Sequence, residues 1–205
     1  MRRYSQVTGY VLAGGESRRM GRPKAGLALE GVTMLDRTVR MLGSVCRKVV
    51  VVGESRVAPT VPDVKMLPDD RPGNGPLGGI LSALGECSTE YALLLSCDLP
   101  YMSRRFLEYL LEVAGSQGAQ VTVPQTADGR LQTLAAVYRR TCAGVFRARL
   151  ACGDLKIAHA FRDLNCRLVT ASELNRQGFS PSIFGNMNTP DDYAQALRQF
   201  ALNGL

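Results

Sequence analysis

The stretch YVLAGGESRRMGRPKAGL spans residues 10–27. Its first three residues form a short apolar run typical of a buried strand, and Gly14 and Gly15 follow it closely. Glycines let backbone N–H groups approach a ligand, and consecutive N–H groups can form a nest for an anion. Arg18, Arg19 and Lys24 add positive charge, although the Walker A pattern is absent. Taken alone, the stretch fits a phosphate-binding loop and a basic surface loop equally well.

Beyond this first strand, apolar runs alternate with segments of helical periodicity. Further strands are predicted at residues 49–52, 64–67 and 91–95. Helices are predicted after Thr33, from Leu77 and after Ser103, the first with Leu35, Val39, Leu42 and Val45 on its inner face. The resulting order, β-α-β-β-α-β-α, predicts an α/β protein with an open, mostly parallel sheet and helices on both faces.

The second half of the chain has a less regular pattern. Strands are predicted at residues 120–123 and 134–138, and two helices between residues 141 and 164. A last helix is well marked, with Thr189 at its cap, Pro190 at its first position and acidic residues in its first turn. No linker stands out in the 205 residues. We therefore expect one domain spanning residues 1–205.

Composition narrows the classes of ligand. The formal charge of +7 suggests an anionic partner, either a polyanion or a phosphate-rich small molecule. The chain has no Lys/Arg block and no basic stripe interleaved with aromatics, which argues against nucleic acid. Six cysteines without C-x-x-C spacing and one histidine make a zinc site improbable and favour reduced thiols in a cytoplasmic protein. No apolar stretch approaches the length of a membrane span.

Three segments follow predicted parallel strands and are expected at one edge of the sheet, where such folds bind ligands. They are residues 13–24, 69–79 and 97–100. In the third, Asp98 ends a buried strand and is well placed to hold Mg²⁺ together with ligand phosphates and water. The simpler alternative is that Asp98 accepts hydrogen bonds from loop N–H groups.

The middle segment contains a literal G-x-G-x-x-G pattern from Gly73 to Gly78. It would suggest a dinucleotide-dependent oxidoreductase, with Asp98 as the acid that binds ribose. The pattern does not directly follow a strand, however, and Asp69 and Asp70 beside it would repel a pyrophosphate. An isolated match of this kind is a weak signal.

Four motifs in order resemble the molybdenum cofactor guanylyltransferases, which are MobA-like nucleotidyltransferases. They are LAGGESRRMG with Lys24, GPLGGI from Gly75, CDLP from Cys97 and NMNTP from Asn186. The resemblance covers residues 10–192, and Gly15 is more typical of the guanylyl branch than of the cytidylyl branch.

The resemblance implies a Rossmann-like nucleotidyltransferase fold that transfers GMP from Mg-GTP to molybdopterin bearing its metal, with release of pyrophosphate. Molybdoenzymes or other cofactor-biosynthesis proteins would be further partners. The site residues that it implies are Leu12, Ala13, Gly14, Gly15, Lys24, Asp69 and Asp98 for the nucleotide, Asp98 for Mg²⁺, Asn186 and Asn188 for molybdopterin, and Lys24, Asp98 and Arg19 for catalysis.

A departure from the family pattern and an alignment gap leave two questions. Gly53 stands where a polar residue that reads the base is common, so guanine would be read by backbone or by Asp69. Whether Asp69 or Asp70 is the equivalent nucleotide ligand depends on an alignment gap, and we choose Asp69. A non-catalytic molybdopterin-binding protein remains an alternative from sequence.

Overall fold

The structure is a computed structural model that describes residues 4–14, 23–53, 57–71 and 73–203. The strands are β1 (Tyr4–Leu12), β2 (Ala28–Leu29), β3 (Val32–Thr33), β4 (Cys46–Val52), β5 (Lys65–Leu67), β6 (Tyr91–Ser96), β7 (Val121–Pro124), β8 (Ala135–Arg139) and β9 (Cys166–Val169). The helices are α1 (Met34–Gly43), α2 (Gly75–Glu86), α3 (Arg104–Gln117), α4 (Ala143–Ala151), α5 (Ile157–Ala160), α6 (Ala171–Arg176) and α7 (Pro190–Asn203). A short 3-10 turn, Lys24–Gly26, follows the glycine loop.

Within these residues, seven strands form one sheet in the order β5-β4-β1-β6-β8-β7-β9. Strand β8 runs antiparallel to both of its neighbours, and the other pairings are parallel. Strands β2 and β3 pair separately as a small antiparallel hairpin. The mostly parallel α/β sheet predicted from the sequence is confirmed.

Strand β1 supplies side chains to both faces of the sheet. Val7 and Val11 belong to the core covered by α1 and α3, whereas Tyr10 and Leu12 belong to the core covered by α2 and α4. Because both faces are covered, its apolar run lacks the polar alternation of a half-exposed strand. Helices therefore cover both faces of the sheet, as predicted.

A third, smaller cluster joins the β2–β3 hairpin to the C-terminal helix α7. Its buried members are Leu27, Leu29, Met34, Met187 and Ala196. The hydroxyl of Tyr193 on α7 also donates a hydrogen bond to the carbonyl oxygen of Ala28 at 2.8 Å. This packing holds α7 beside the turn that carries Lys24.

The helix starts agree with their sequence signals. The side chains of Thr33 and Ser103 accept N–H groups at the starts of α1 and α3, and the hydroxyl of Thr189 accepts the N–H of Asp192 at 3.2 Å. The predicted end of α1 was wrong, because the helix stops at Gly43 and Val45 lies buried in the connection to β4.

The sequence prediction also missed the β2–β3 hairpin, β9 and α6. Each hairpin strand is only two residues long, too short for a periodic pattern. No helix among the described residues is long and apolar enough to cross a membrane.

We predict that Thr122→Val stabilises the protein. The hydroxyl of Thr122 on β7 is buried without a hydrogen-bond partner among the described residues. Replacing it with a methyl group of similar shape should raise the free energy of unfolding by about 1 kcal/mol, measured by urea denaturation. The matched control is Thr38→Val, whose equally buried hydroxyl donates to the Met34 carbonyl and whose loss should not stabilise. A decrease in stability for Thr122→Val would contradict the assignment.

Candidate nucleotide-binding site

The candidate site lies where β1 ends between two parallel neighbours. In the strand register, Leu12 stands opposite Val52 of β4 on one side and Ser96 of β6 on the other. The carboxyl ends of these strands therefore meet at one edge. The chain runs from β1 through α1 to β4 on one side of β1, and from β5 through α2 to β6 on the other side. This is a topological switch point, where open α/β sheets bind their ligands.

Lys24 joins two other sequence motifs at this edge. Its Nζ atom lies 3.2 Å from Oδ2 of Asp98 and 2.5 Å from the side-chain oxygen of Asn188. The side chains of Lys24 and Asp98 are each 19% exposed, so they remain accessible to a ligand. Three of the four sequence motifs thus contribute to one polar cluster.

Asp98 is fixed on several sides. The hydroxyl of Ser96 donates to its Oδ1 atom at 2.7 Å, and its carbonyl oxygen accepts the N–H of Met187 at 2.9 Å. The N–H of Cys97 bonds to the Leu12 carbonyl at 3.3 Å and so extends the pairing of β1 with β6. Burial raises the pKa of the Cys97 thiol to about 12, so it stays protonated and is not a nucleophile.

The NMNTP segment runs past Asp98 towards α7. Met187 is buried in the small cluster under α7, Asn186 is exposed and Asn188 is half-buried. Asn188, expected on the molybdopterin side, therefore contacts the lysine expected at the nucleotide, while Asn186 is left open to solvent.

Gly14, at the start of the glycine loop, lies very close to the end of β4. An added Cβ at Gly53 would lie 2.8 Å from the nitrogen of Gly14 and 2.9 Å from its Cα, and Gly53 has a φ of +112°. A side chain at position 53 would thus collide with the loop and strain the backbone. The polar residue common at this position in the family could not fit here. Gly15, Arg18 and Arg19 lie outside the described residues.

Asp69 packs against the first turns of α2. Its carboxylate accepts the N–H of Arg71 at 3.0 Å and the hydroxyl of Ser82 at 3.3 Å. An added Cβ at Gly78 would lie 3.1 Å from both carboxylate oxygens. Asp69 follows β5, which is three strands from β6 and so roughly 14 Å away at the usual strand spacing. It therefore stands apart from the Lys24 cluster along the sheet edge.

Asp70 has a different environment. It is exposed and lines a cleft of about 340 Å³ whose other walls are Leu67, Arg71, Leu81, Ser82, Gly85, Glu86 and Arg147. Asp69, rather than Asp70, is the carboxylate that packs on the glycine-rich helix. The choice of Asp69 as the nucleotide ligand stays a prediction.

Sequence reasoning missed three residues that hold these groups in place. Ser96 bonds Asp98, Ser82 bonds Asp69, and Asp192 bonds the backbone before α7. Ser96 immediately precedes the CDLP motif, so its position gave a signal. Ser82 sits among apolar helix residues, and Asp192 was noted only as a helix-start charge, so their partners were not evident.

Solved structures show which proteins share this fold. Over 95% of this chain and 99% of the other, the structure is similar to a molybdopterin-guanine dinucleotide biosynthesis protein A from Archaeoglobus fulgidus, with a TM-score of 0.81 and 22% identity. It is also similar to a 2-C-methyl-D-erythritol 4-phosphate cytidylyltransferase from Thermus thermophilus, with a TM-score of 0.70 and 16% identity over 94% and 98% of the two chains. The fold is that of the nucleotidyltransferases.

Sequence comparison then gives the family. Residues 9–164 match the MobA-like NTP transferase domain. The chain is 31% identical over 191 residues to a "Probable molybdenum cofactor guanylyltransferase" of Pelotomaculum thermopropionicum, covering 93% of this chain and 92% of the relative. A protein of the same name from Mycobacterium tuberculosis is 39% identical over 158 residues, covering 74% and 77%. The chain belongs to the MobA-like NTP transferase family and is an enzyme of the nucleotidyltransferase class.

We predict that Gly78→Ala disturbs the packing of Asp69. The added methyl group would lie 2.7 Å from the Arg71 carbonyl and 3.1 Å from the Asp69 carboxylate, so the loop must shift. Overpacking of this kind should lower the free energy of unfolding by about 1–3 kcal/mol in chemical denaturation.

The control is Gly85→Ala in the same helix, where an added Cβ meets nothing within 4 Å. This exchange should instead stabilise by up to about 1 kcal/mol, because alanine favours the helix. Equal effects of the two substitutions would show that the close approach of Asp69 to Gly78 is not a constraint.

Proposed function

We propose that the protein transfers GMP from GTP to molybdopterin bearing its metal and releases pyrophosphate. The observation that carries this proposal is the contact of Lys24 with both Asp98 and Asn188, which joins the nucleotide, metal and acceptor motifs of the resemblance. The names of the two relatives at 31% and 39% identity support the guanylyl donor and the molybdenum cofactor product.

Mg²⁺ fits the donor set at Asp98. The carboxylate is partly exposed at the carboxyl edge, where phosphates of a bound nucleotide would complete the coordination. The described residues hold no cluster of three or more His, Cys, Asp or Glu side chains able to bind a metal by themselves. When bound, Mg²⁺ would neutralise charge that develops on the phosphates.

The acceptor reacts through its phosphate oxygen. This oxygen forms a bond to the α-phosphorus of GTP while the bond from the α-phosphorus to the bridging oxygen of pyrophosphate breaks. A phosphate nucleophile is already ionised at neutral pH, so no strong general base is needed. The chain then supplies position and charge: the ammonium group of Lys24 and the N–H of Gly14 at the start of the loop bind phosphate oxygens, whereas the N–H of Ala13 is bonded to the Val52 carbonyl.

The partners of Lys24 place its ammonium group before any nucleotide binds. In the structure this group is bound by Asp98 and Asn188 at one end of the glycine loop. The hydrogen bond from an ammonium group to a phosphate oxygen is charge-assisted on both sides and therefore strong. Lys24 is thus held close to the position where a triphosphate would lie.

The dinucleotide-dependent oxidoreductase is not favoured. Gly75 to Gly78 of the G-x-G-x-x-G pattern form the first turn of α2, and the Asp69 carboxylate packs against Gly78. A carboxylate at this position would repel the pyrophosphate that this pattern binds in dinucleotide folds. A non-catalytic molybdopterin-binding protein would bind both ligands without releasing pyrophosphate.

We also propose that the chain forms one domain and that the protein lies in the cytoplasm. The packing of α7 on the β2–β3 hairpin supports one domain over residues 1–205, because the last helix is tied to the first site segment. All six cysteines are unpaired, which supports a reducing cytoplasm.

The deciding experiment measures pyrophosphate release from GTP, CTP and ATP, each with and without metal-loaded molybdopterin and with and without Mg²⁺. We expect release only with GTP, molybdopterin and Mg²⁺ together. Release with CTP in preference to GTP would contradict the guanylyl assignment. Binding of both substrates without any release would favour the binding protein instead.

We predict that Lys24→Ala lowers kcat for pyrophosphate release by about a hundredfold or more, as expected for the loss of one preorganised charge. The control is Lys65→Ala, which removes the same charge from a half-exposed lysine paired with Glu86 at the start of β5. That variant should retain nearly full activity. A loss of tenfold or less in Lys24→Ala would show that this lysine is peripheral to the reaction.

A further inference from the structure

Asp192, in the first turn of α7, bonds beyond its own helix. Its Oδ2 atom accepts the N–H of Thr189 at 2.8 Å and the N–H of Asn188 at 2.9 Å. In return, the N–H of Asp192 donates to the hydroxyl of Thr189 at 3.2 Å. The exchange between Asp192 and Thr189 is a capping box, which satisfies the start of a helix.

The bond to Asn188 is not needed for that cap. Asn188 precedes the cap residue and lies outside α7, so its N–H is not one of the helix's own unpaired donors. Its side-chain oxygen contacts Nζ of Lys24 at 2.5 Å. One carboxylate oxygen of Asp192 therefore fixes the backbone of the residue whose side chain reaches the lysine.

The segment is held from a second point. The N–H of Met187 donates to the Asp98 carbonyl at 2.9 Å, and the Met187 side chain is buried. Bonds at two successive residues leave the backbone of Asn188 little freedom to rotate. The direction of its side chain towards Lys24 is then set by Asp98 on one side and by Asp192 on the other.

The electrostatics of Asp192 agree with this geometry. The N–H of Asn188 and then the hydroxyl of Thr189 contribute most to lowering the pKa of the Asp192 carboxyl, and the charge of Lys24 lowers it further. Asp192 is thus ionised at neutral pH. Its neighbour Asp191 is exposed, so the two adjacent carboxylates have different surroundings.

We propose that Asp192 is a positioning residue that acts through Asn188 to hold Lys24 in the phosphate-binding direction. The catalytic part of this inference rests on the proposed nucleotidyl transfer. It gives the C-terminal helix a task in the reaction, although α7 lies beyond the region that matches the family domain.

The test compares Asp192→Asn with Asp191→Asn. Both remove one negative charge from the same helix turn, but only the first weakens the bonds to Asn188 and Thr189. We expect kcat/KM for pyrophosphate release from GTP to fall about tenfold in Asp192→Asn, as for the loss of one hydrogen bond to a charged group. Asp191→Asn should stay within about twofold of the unmodified protein. Equal activity of the two variants would overturn the proposal.

A double-mutant cycle separates positioning from simple capping. If Asp192 acts through Asn188, adding Asp192→Asn to Asn188→Ala should cause no further loss of kcat/KM. A structural role in capping α7 would persist in that background, and the two losses would then multiply. Thermal denaturation of each variant shows whether α7 remains folded. Multiplying losses in folded variants would overturn the role through Asn188.

A readout independent of turnover is the acetylation rate of Lys24 by N-hydroxysuccinimidyl acetate, followed by mass spectrometry of the peptide. We expect Lys24 to react severalfold faster in Asp192→Asn and at an unchanged rate in Asp191→Asn. If the unmodified protein releases no pyrophosphate from any nucleotide, the proposed function fails, but these rates still decide whether Asp192 positions Lys24. Equal rates in all three proteins would overturn the inference.

Discussion

The parallel pairing of β1 with both β4 and β6 is the constraint on which the site depends. The register sets the ends of all three strands level, with Leu12 opposite Val52 and Ser96. Sheet pairing thereby brings together loops that are far apart in sequence, such as those carrying Lys24 and Asp98. Both faces of β1 are buried, so a slip of the register by one residue would move each side chain into the core on the opposite face, where it would not fit, and close packing therefore protects the alignment.

The second requirement is that the backbone after β1 and the backbone after β4 approach each other closely. Gly53 allows this, because any Cβ there would strike Gly14. Gly78 plays a similar part beside Asp69. The two glycines thus permit close packing at two separate points along the same edge of the sheet, one beside the end of β1 and one after β5.

The sequence was sufficient for the fold because its strongest signals were local. Buried runs such as residues 49–52 and caps such as Thr33 are determined by neighbours in the chain, and both were predicted correctly. The β2–β3 hairpin was not predicted because it depends on the packing of α7 over it. That packing is a contact between residues more than 150 positions apart. Strand β9 is a half-exposed edge strand that pairs only with β7 among the described strands, so its four residues carry no clear period.

The sequence identified the residues of the candidate site better than the contacts between them. Motif order identified Lys24, Asp98 and Asn188, but assigned the last to a different ligand from the lysine that it contacts. Such contacts arise from tertiary structure, since the burial of Met187 and the backbone hydrogen bonds to Asp98 and Asp192 together bring the NMNTP segment to Lys24. The contact of Asp192 with Asn188 was hidden, because an aspartate near a helix start has a sufficient local explanation in capping. Ser96 could have been noticed, since it immediately precedes the CDLP motif.

The apolar cluster under α7 therefore has a consequence for the chemistry. Leu27 and Leu29 follow the turn that carries Lys24, and Met187 and Ala196 belong to the C-terminal part of the chain. Burying these side chains together fixes the two polar groups, the ammonium and the asparagine oxygen, at contact distance. A hydrogen bond between exposed, mobile side chains would contribute little, because water competes for both partners. Anchored at both ends by buried side chains, the same contact costs less conformational entropy to form, since packing has already ordered the segments that carry it.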